Sequence, residues 1–398
     1  EDAGTLERYE AQLGLSLDAV SRLLGPAFVA SVAATGSDPY LRTGSDLAIL
    51  YEPRDADALR AALWARIAAS AQANPAAQSV KGEVEGAAYE GFAAPDDSLR
   101  VYLASIGGAV VVANSLAQLR QIALAAKGAV PALAALDEYR FFRDRYPRGA
   151  PEETALLILT DATIRRWCGP RWRIAASRRT VAAALMADFK AAHLDAIARG
   201  TLPRDGATSG TSLFGLGELR IDGAGAVSCA LGGPGFLKPI AEMDFDTVSK
   251  AEADAYQWFR SNFERRWSRA FDPIAIRLTA RPDTLALDAT ILPLTAATDY
   301  REFMELTAGA PLRPDSGDPH PEAALHLALS LNPESQLVQM ANGFSASMAP
   351  GNPTPLAWIG DWFAFYADSD PVWAELAALP ERDRMTEENL GRLPVAAA

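Results

Sequence analysis

The chain has 398 residues, of which three are histidine and two cysteine, with 49% apolar and 22% charged side chains and a formal charge of −13. That composition belongs to a folded globular protein able to bury a large core, and the acidic balance disfavours binding to nucleic acid or anionic lipid. No apolar run approaches the roughly 20 residues of a membrane span, and two cysteines do not make a disulfide framework.

The first third predicts strands and helices in close alternation. Residues 27–34 and 46–51 are β-rich and are separated by the turn-forming Gly36-Ser37-Asp38-Pro39. Residues 55–71 carry Leu59, Leu63 and Ile67 at helical spacing. The segment 80–93 reads as extended chain running to the turn Pro95-Asp96-Asp97. Strands follow at 99–105 and 109–113 across Gly107-Gly108, a pair suited to a hairpin turn with positive φ. Asn114-Ser115 can cap a helix whose stripe is Leu116, Leu119, Ile122 and Ala123. A second helix covers 136–146 and stops at Pro147. The apolar run 155–159 reads as a buried central strand. Asp161 then reads as a helix cap, and 180–199 as a long helix.

Residues 200–211, rich in Gly, Thr, Pro and Ser, read as a linker, so the expected domains are 1–205 and 206–398. Beyond the linker, hairpins at 217–222 with 226–231 and at 274–279 with 284–292 flank a helix at 247–271. A helix at 300–306, a Pro/Gly/Asp loop at 311–321, strands at 324–331 and 362–367 and helices at 334–341 and 371–379 complete the pattern. Hairpins imply antiparallel sheets. The expected class is therefore α+β, with helices packed on one face of each sheet. Asp46-Leu-Ala-Ile-Leu-Tyr51 and Asp361-Trp-Phe-Ala-Phe-Tyr366 echo one another, each followed by an acidic turn and a helix. A duplicated module would give this, and so would two ordinary strand–turn–helix units.

The sharpest local signal is Arg165, Arg166, Arg171, Arg173, Arg178 and Arg179, interleaved with Trp167 and Trp172. Guanidinium groups bind carboxylate or phosphate bidentately and stack on indole rings, so this cluster is the candidate ligand site. The competing reading is an internal ion-pair network, which 50 acidic residues favour. Asp315, Asp318 and Glu322 surround His320 in a loop, and Asp368 and Asp370 flank a turn, but neither follows calcium-loop spacing. His193, His320 and His326 are not spaced for zinc. No G-x-S-x-G, S-x-x-K or C-x-x-C spacing exists, and the isolated Gly-x-Gly pairs lack the third glycine of a dinucleotide loop. No catalytic residue, metal ligand or cofactor is therefore assigned. Cys168 lies beside arginines that would lower its pKa, although burial beside Trp167 fits it better. Cys168 and Cys229 are left as one disulfide or two thiols. Trp358, Trp362, Phe363, Phe365, Tyr366 and Trp373 form a late aromatic cluster, assigned chiefly to core.

The strand Val110-Val-Val112 running into Asn114-Ser115 and an amphipathic helix, with the strand ending in Tyr51, resembles large bacterial envelope-associated proteins of unknown function. Those are built from repeated sheet–helix modules, and the likeness covers roughly a third of the chain. It implies an extracytoplasmic (periplasmic or cell-surface), non-catalytic role with protein partners, and it supplies no site residues. The chain begins at Glu1 without methionine, which fits either a removed leader or a fragment. The expected function is non-catalytic binding or scaffolding, with a carboxylate-dependent hydrolase and an anion or acidic-polymer binder using the arginine cluster as the alternatives. The sequence leaves the oligomeric state open.

Overall fold

The structure is a computed structural model. It describes residues 4–15, 25, 27–203, 206–211, 218–222, 225–228, 230–233, 236–243, 247–266, 272–282, 284–294, 299–308, 323–340, 343, 362–379, 384 and 386–397. The class is α+β with antiparallel sheets, as expected. The chain forms two compact units, residues 1–265 with 272–292, and residues 266–271 with 293–398.

The first unit opens with α1 (Thr5–Leu13) and a six-stranded sheet. Its strands are β1 (Val29–Gly36), β2 (Leu47–Pro53), β3 (Gln78–Val84), β4 (Ala87–Ala93), β5 (Arg100–Ile106) and β6 (Ala109–Ala113), in the order β1-β2-β6-β5-β4-β3. Helix α2 (Ala56–Gln72) is capped by Asp55, which accepts the Ala58 N–H at 3.0 Å. Helix α3 (Leu116–Ala126) is capped by Ser115 alone of the expected pair. The extended segment expected at 80–93 is two strands, because Glu85 and Gly86 both adopt positive φ (48° and 73°) and close a two-residue hairpin. Gly107 and Gly108 do the same at 58° and 85°.

Helices cover both faces of this sheet, not one. Leu59, Leu63 and Ile67 of α2 pack with Val101, Leu103, Val110 and Val112. Leu119 and Ala123 of α3 pack with Tyr102, Ala104, Val111 and Ala113. Strands β5 and β6 are apolar at successive positions, so side chains alternating across the pleat leave both faces needing cover.

After α4 (Asp137–Arg145), β7 (Ala155–Leu159) joins β13 (Ile274–Ala280) and β14 (Leu285–Ile291) in the order β14-β13-β7. The apolar run 155–159 is thus an edge strand. Leu156 and Ile158 pack against Phe142 and Tyr146, while Leu157 is 54% exposed. Thr160, not Asp161, caps α5 (Asp161–Cys168). The long helix α6 runs over Pro170–Ala198, starting ten residues before the apolar periodicity suggested, with Pro170 in its first turn.

Helix α6 covers a second sheet of β8 (Thr208–Thr211), β9 (Glu218–Asp222), β10 (Gly225–Ser228), β11 (Gly232–Gly233) and β12 (Phe236–Leu237). Ala175, Ala182 and Met186 of the helix share one core with Leu219, Ile221, Leu231, Leu237 and Ile240. The boundary expected at residue 205 therefore falls inside the first unit: the Gly/Ser-rich segment crosses from α6 into its own sheet and ends as strand β8. Helix α7 (Lys250–Arg266) follows.

The second unit contains α8 (Asp299–Thr307), a sheet ordered β15 (Ala323–Ser330), β16 (Trp362–Asp368), β17 (Val395–Ala397), and the helices α9 (Val372–Ala378) and α10 (Glu387–Leu390). Tyr366 is buried, Phe365 half-buried and Trp373 38% exposed. Both echoed strands lie mid-sheet and lead through an acidic turn into a helix, with Asp370 accepting the Val372 N–H at 2.8 Å.

Candidate functional site

The arginine cluster lies on α5 and the first three turns of α6, and the tertiary structure divides it. Arg165 pairs with Asp161 at 2.6 Å on its own helix. Arg171 donates to the Met243 carbonyl at 2.8 Å. Arg178 grips Glu252 of α7 with Nε and Nη2, at 2.6 and 3.0 Å. That grip holds the Glu252 carboxyl down at about 2, with bonds from Ser249 adding to it. Arg166 stands over the Trp172 ring at 5.6 Å. Trp167 donates its indole N–H to the Ser37 carbonyl at 3.0 Å and so ties α5 to the β1–β2 connection. The internal network therefore claims Arg165, Arg171 and Arg178.

Arg173 and Arg179 remain, and the structure brings both to one groove of about 470 Å³. The groove runs beside α6 between the connection at 40–43 and β12. Arg173, Ala176, Ser177, Thr180 and Ala183 recur at helical spacing and form one stripe of α6. Tyr40, Thr43 and Leu237 complete the wall. Arg173 is exposed, and its guanidinium lies 4.0 Å from the centre of the Phe259 ring on α7. Among the described residues no carboxylate stands within ion-pair distance of Arg173.

Gly44 explains how the connection reaches α6 and β12. Its φ of +116° suits glycine, and a Cβ there would meet the Leu237 carbonyl oxygen at 2.4 Å. The neighbouring Thr43 carbonyl accepts the Leu237 N–H at 2.8 Å. Beneath the groove Arg179, only 3% exposed, donates through Nη2 to the Gly44 carbonyl and to Thr43 Oγ1. Its Nε and Nη1 have no hydrogen-bond partner.

Two buried acids face this one buried base. Asp38 Oδ1 accepts the Tyr40 N–H at 2.8 Å, and Asp46 Oδ1 accepts the Ser37 N–H and hydroxyl at 3.2 and 2.7 Å. Tyr9 of α1 closes the cluster by accepting the Ser45 N–H at 2.8 Å. The second oxygens, Oδ2 of Asp38 and of Asp46, are without partners. Burial pushes both carboxyls up, Asp46 to about 6, and lowers Arg179, which Asp38 partly restores. In the sequence Asp38 reads as part of a turn and Asp46 as the head of a strand. Their long-range partner Arg179 lies more than 130 residues away, so no local spacing could have marked them.

The remaining candidates are accounted for individually. Cys168 is a free, half-buried thiol, and burial raises its pKa against the pull of Arg173, contrary to the lowering its arginine neighbours suggested. His193 is buried and shares a 2.7 Å hydrogen bond with Thr208, pinning β8 to α6. Among the described residues no cluster of His, Cys, Asp or Glu could hold a metal ion. No described helix is long and apolar enough to cross a membrane. Cys229, Trp358 and the loop holding Asp315, Asp318, His320 and Glu322 lie outside the described residues.

Comparison with protein-family models, with curated proteins and with solved structures found no match to this chain.

Proposed function

We propose that this chain is a non-catalytic binding protein of the bacterial envelope, and that the groove along α6 is its ligand site. The observation that carries the reading is the lining: two arginines, hydroxyls and an apolar wall facing one concavity. A pocket of this size with a few convergent polar groups suits a small ligand or a side-chain-sized part of a larger one. The two nearby carboxylates are enclosed behind Arg179 and do not line the concavity, an arrangement that serves recognition better than acid–base hydrolysis. The envelope setting rests on the resemblance of the strand–helix unit at 110–126 and of the strand ending in Tyr51.

Native mass spectrometry of the protein isolated from its own source tests the reading. A mass above that of the bare chain is expected, lost on mild denaturation and absent from the folded Ala176→Trp variant, which fills the groove. Retention of the extra mass by that variant would place the ligand elsewhere. Turnover of model esters or glycosides by the purified chain would overturn the non-catalytic assignment. Fractionation of the source cells checks the setting, with recovery in the envelope fraction expected.

A further inference from the structure

We propose that the α6 groove binds an organic carboxylate together with one proton, the oxyanion held at Arg173 above Arg179 and the proton held by the Asp38–Asp46 pair beneath. The inference rests on the groove being a ligand site and names what that site takes.

The head group follows from the donors. Arg173 stands on the rim without a carboxylate partner among the described residues, and the buried Arg179 holds two nitrogens, Nε and Nη1, whose N–H groups are unspent. Of the hydroxyls, Thr180 donates to the Ala176 carbonyl and Thr43 to the Tyr40 carbonyl, which leaves Ser177, one turn on from Arg173, and the Tyr40 phenol to donate to a ligand. Guanidinium forks match the two oxygens of a carboxylate. The body of the ligand follows from the wall, where Tyr40, Ala176, Ala183 and Leu237 present apolar surface. An inorganic oxyanion would leave that surface uncovered, so the fitting ligand carries its charge on an apolar body.

The proton follows from the charge count below the groove. Asp38 and Asp46 are enclosed, and the buried Arg179 stands beside Asp38 at 3.9 Å. The other groups facing this pair are the hydroxyls of Ser37 and Ser45, Tyr9 and Arg8 from α1, and Tyr40 from the connection. Arg8 donates to the Arg42 carbonyl. With both acids ionised the cluster is already net negative, and a bound carboxylate adds a third negative charge near a single buried guanidinium. Protonating one aspartate removes that repulsion, and the partnerless Oδ2 atoms offer the place for it. Burial has already brought Asp46 to the pH range in which this costs little.

Titration calorimetry with hexanoate, against its neutral analogue hexanamide and inorganic phosphate, tests the proposal on the purified full chain. Runs at pH 5.5 and 7.5, in buffers of different ionisation enthalpy, count the protons. Hexanoate is expected to bind at least tenfold more tightly at pH 5.5 than at pH 7.5, with proton uptake approaching one at pH 7.5 and falling well below one at pH 5.5. Arg173→Ala should weaken it at least tenfold at both pH values. Asp46→Asn should bind at both pH values as the wild type does at pH 5.5. Equal binding of hexanamide, or indifference to Arg173→Ala, would overturn the carboxylate site. Tighter binding of phosphate would overturn the ligand class. Hexanoate binding without proton uptake would overturn the coupling alone. If hexanoate fails while protein from the source still carries a ligand that Ala176→Trp loses, this inference fails and the binding-protein reading stands.

Discussion

Nη1 of Arg179 stands 3.9 Å from Oδ2 of Asp38, with both side chains enclosed and neither atom hydrogen-bonded. An ion pair this buried recovers its desolvation cost only with good geometry and full hydrogen bonding, and this one has neither. Asp46 shares the same enclosure and adds a second negative charge. The cluster is therefore poorly compensated at neutral pH, a state that structural ion pairs avoid and functional sites often retain.

Asp46→Asn should change the pH dependence of stability. Burial first, and then the Asp38 charge, raise the folded carboxyl from its ordinary 3.8 to about 6. A raised folded pKa gives stability that is complete below about pH 4 and is lost as pH rises through 6. The full loss is about 3 kcal/mol by linkage. Chemical denaturation should show the wild type losing stability between about pH 4 and 7 and the variant losing markedly less. Parallel curves would show that Asp46 is ionised throughout that range.

Arg100 links the first sheet to the segment before α7. Its Nη2 meets Glu242 Oε2 at 2.9 Å, its Nη1 meets Asp97 at 3.3 Å, and its Nε donates to the Asn114 carbonyl at 2.7 Å. Ser115 donates to the other Glu242 oxygen at 2.6 Å. Removing the guanidinium leaves two partly buried carboxylates facing one another. Arg100→Met should therefore cost about 3 to 5 kcal/mol, and the double variant with Glu242→Gln should recover part of it. A loss below about 1 kcal/mol in urea denaturation would show that solvent replaces the arginine.

Glu252 holds two ends at once. It accepts the Ser249 N–H at 2.8 Å while Ser249 Oγ accepts the Glu252 N–H at 3.2 Å, a reciprocal cap at the start of α7. The same carboxylate anchors Arg178 of α6. Glu252→Ala should lower stability by about 1 to 2 kcal/mol, seen as a lower denaturation midpoint. The folded carboxyl near 2 lies below its ordinary value, so this contribution is present above about pH 4.5 and fades as pH falls toward 2. A wild-type advantage that persists unchanged at pH 2 would exclude the carboxylate as its source.

Local structure was legible in the chain. The stripe Leu59, Leu63, Ile67 forms the buried face of α2, and Gly107-Gly108 makes the hairpin its backbone freedom allows. The alternation of hairpins with helices gave the α+β class. Each of these depends on residues within a turn or two of one another, where periodicity and φ preference act directly. The start of α6 was hidden because its first ten residues hold four arginines and carry no clean apolar stripe.

The partners of the arginines were decided by tertiary structure alone. Arg165, Arg171, Arg173, Arg178 and Arg179 are similar in sequence, yet each meets a different environment: a carboxylate on its own turn, backbone carbonyls, an aromatic ring, a carboxylate on α7, and a buried pair of aspartates. A charge has no fixed role until its neighbours and its dielectric surroundings are set. Asp38 and Asp46 look like ordinary loop and strand-end acids in the sequence. They become a perturbed, enclosed pair because Gly44 lets their connection lie against β12, where α6 closes over it.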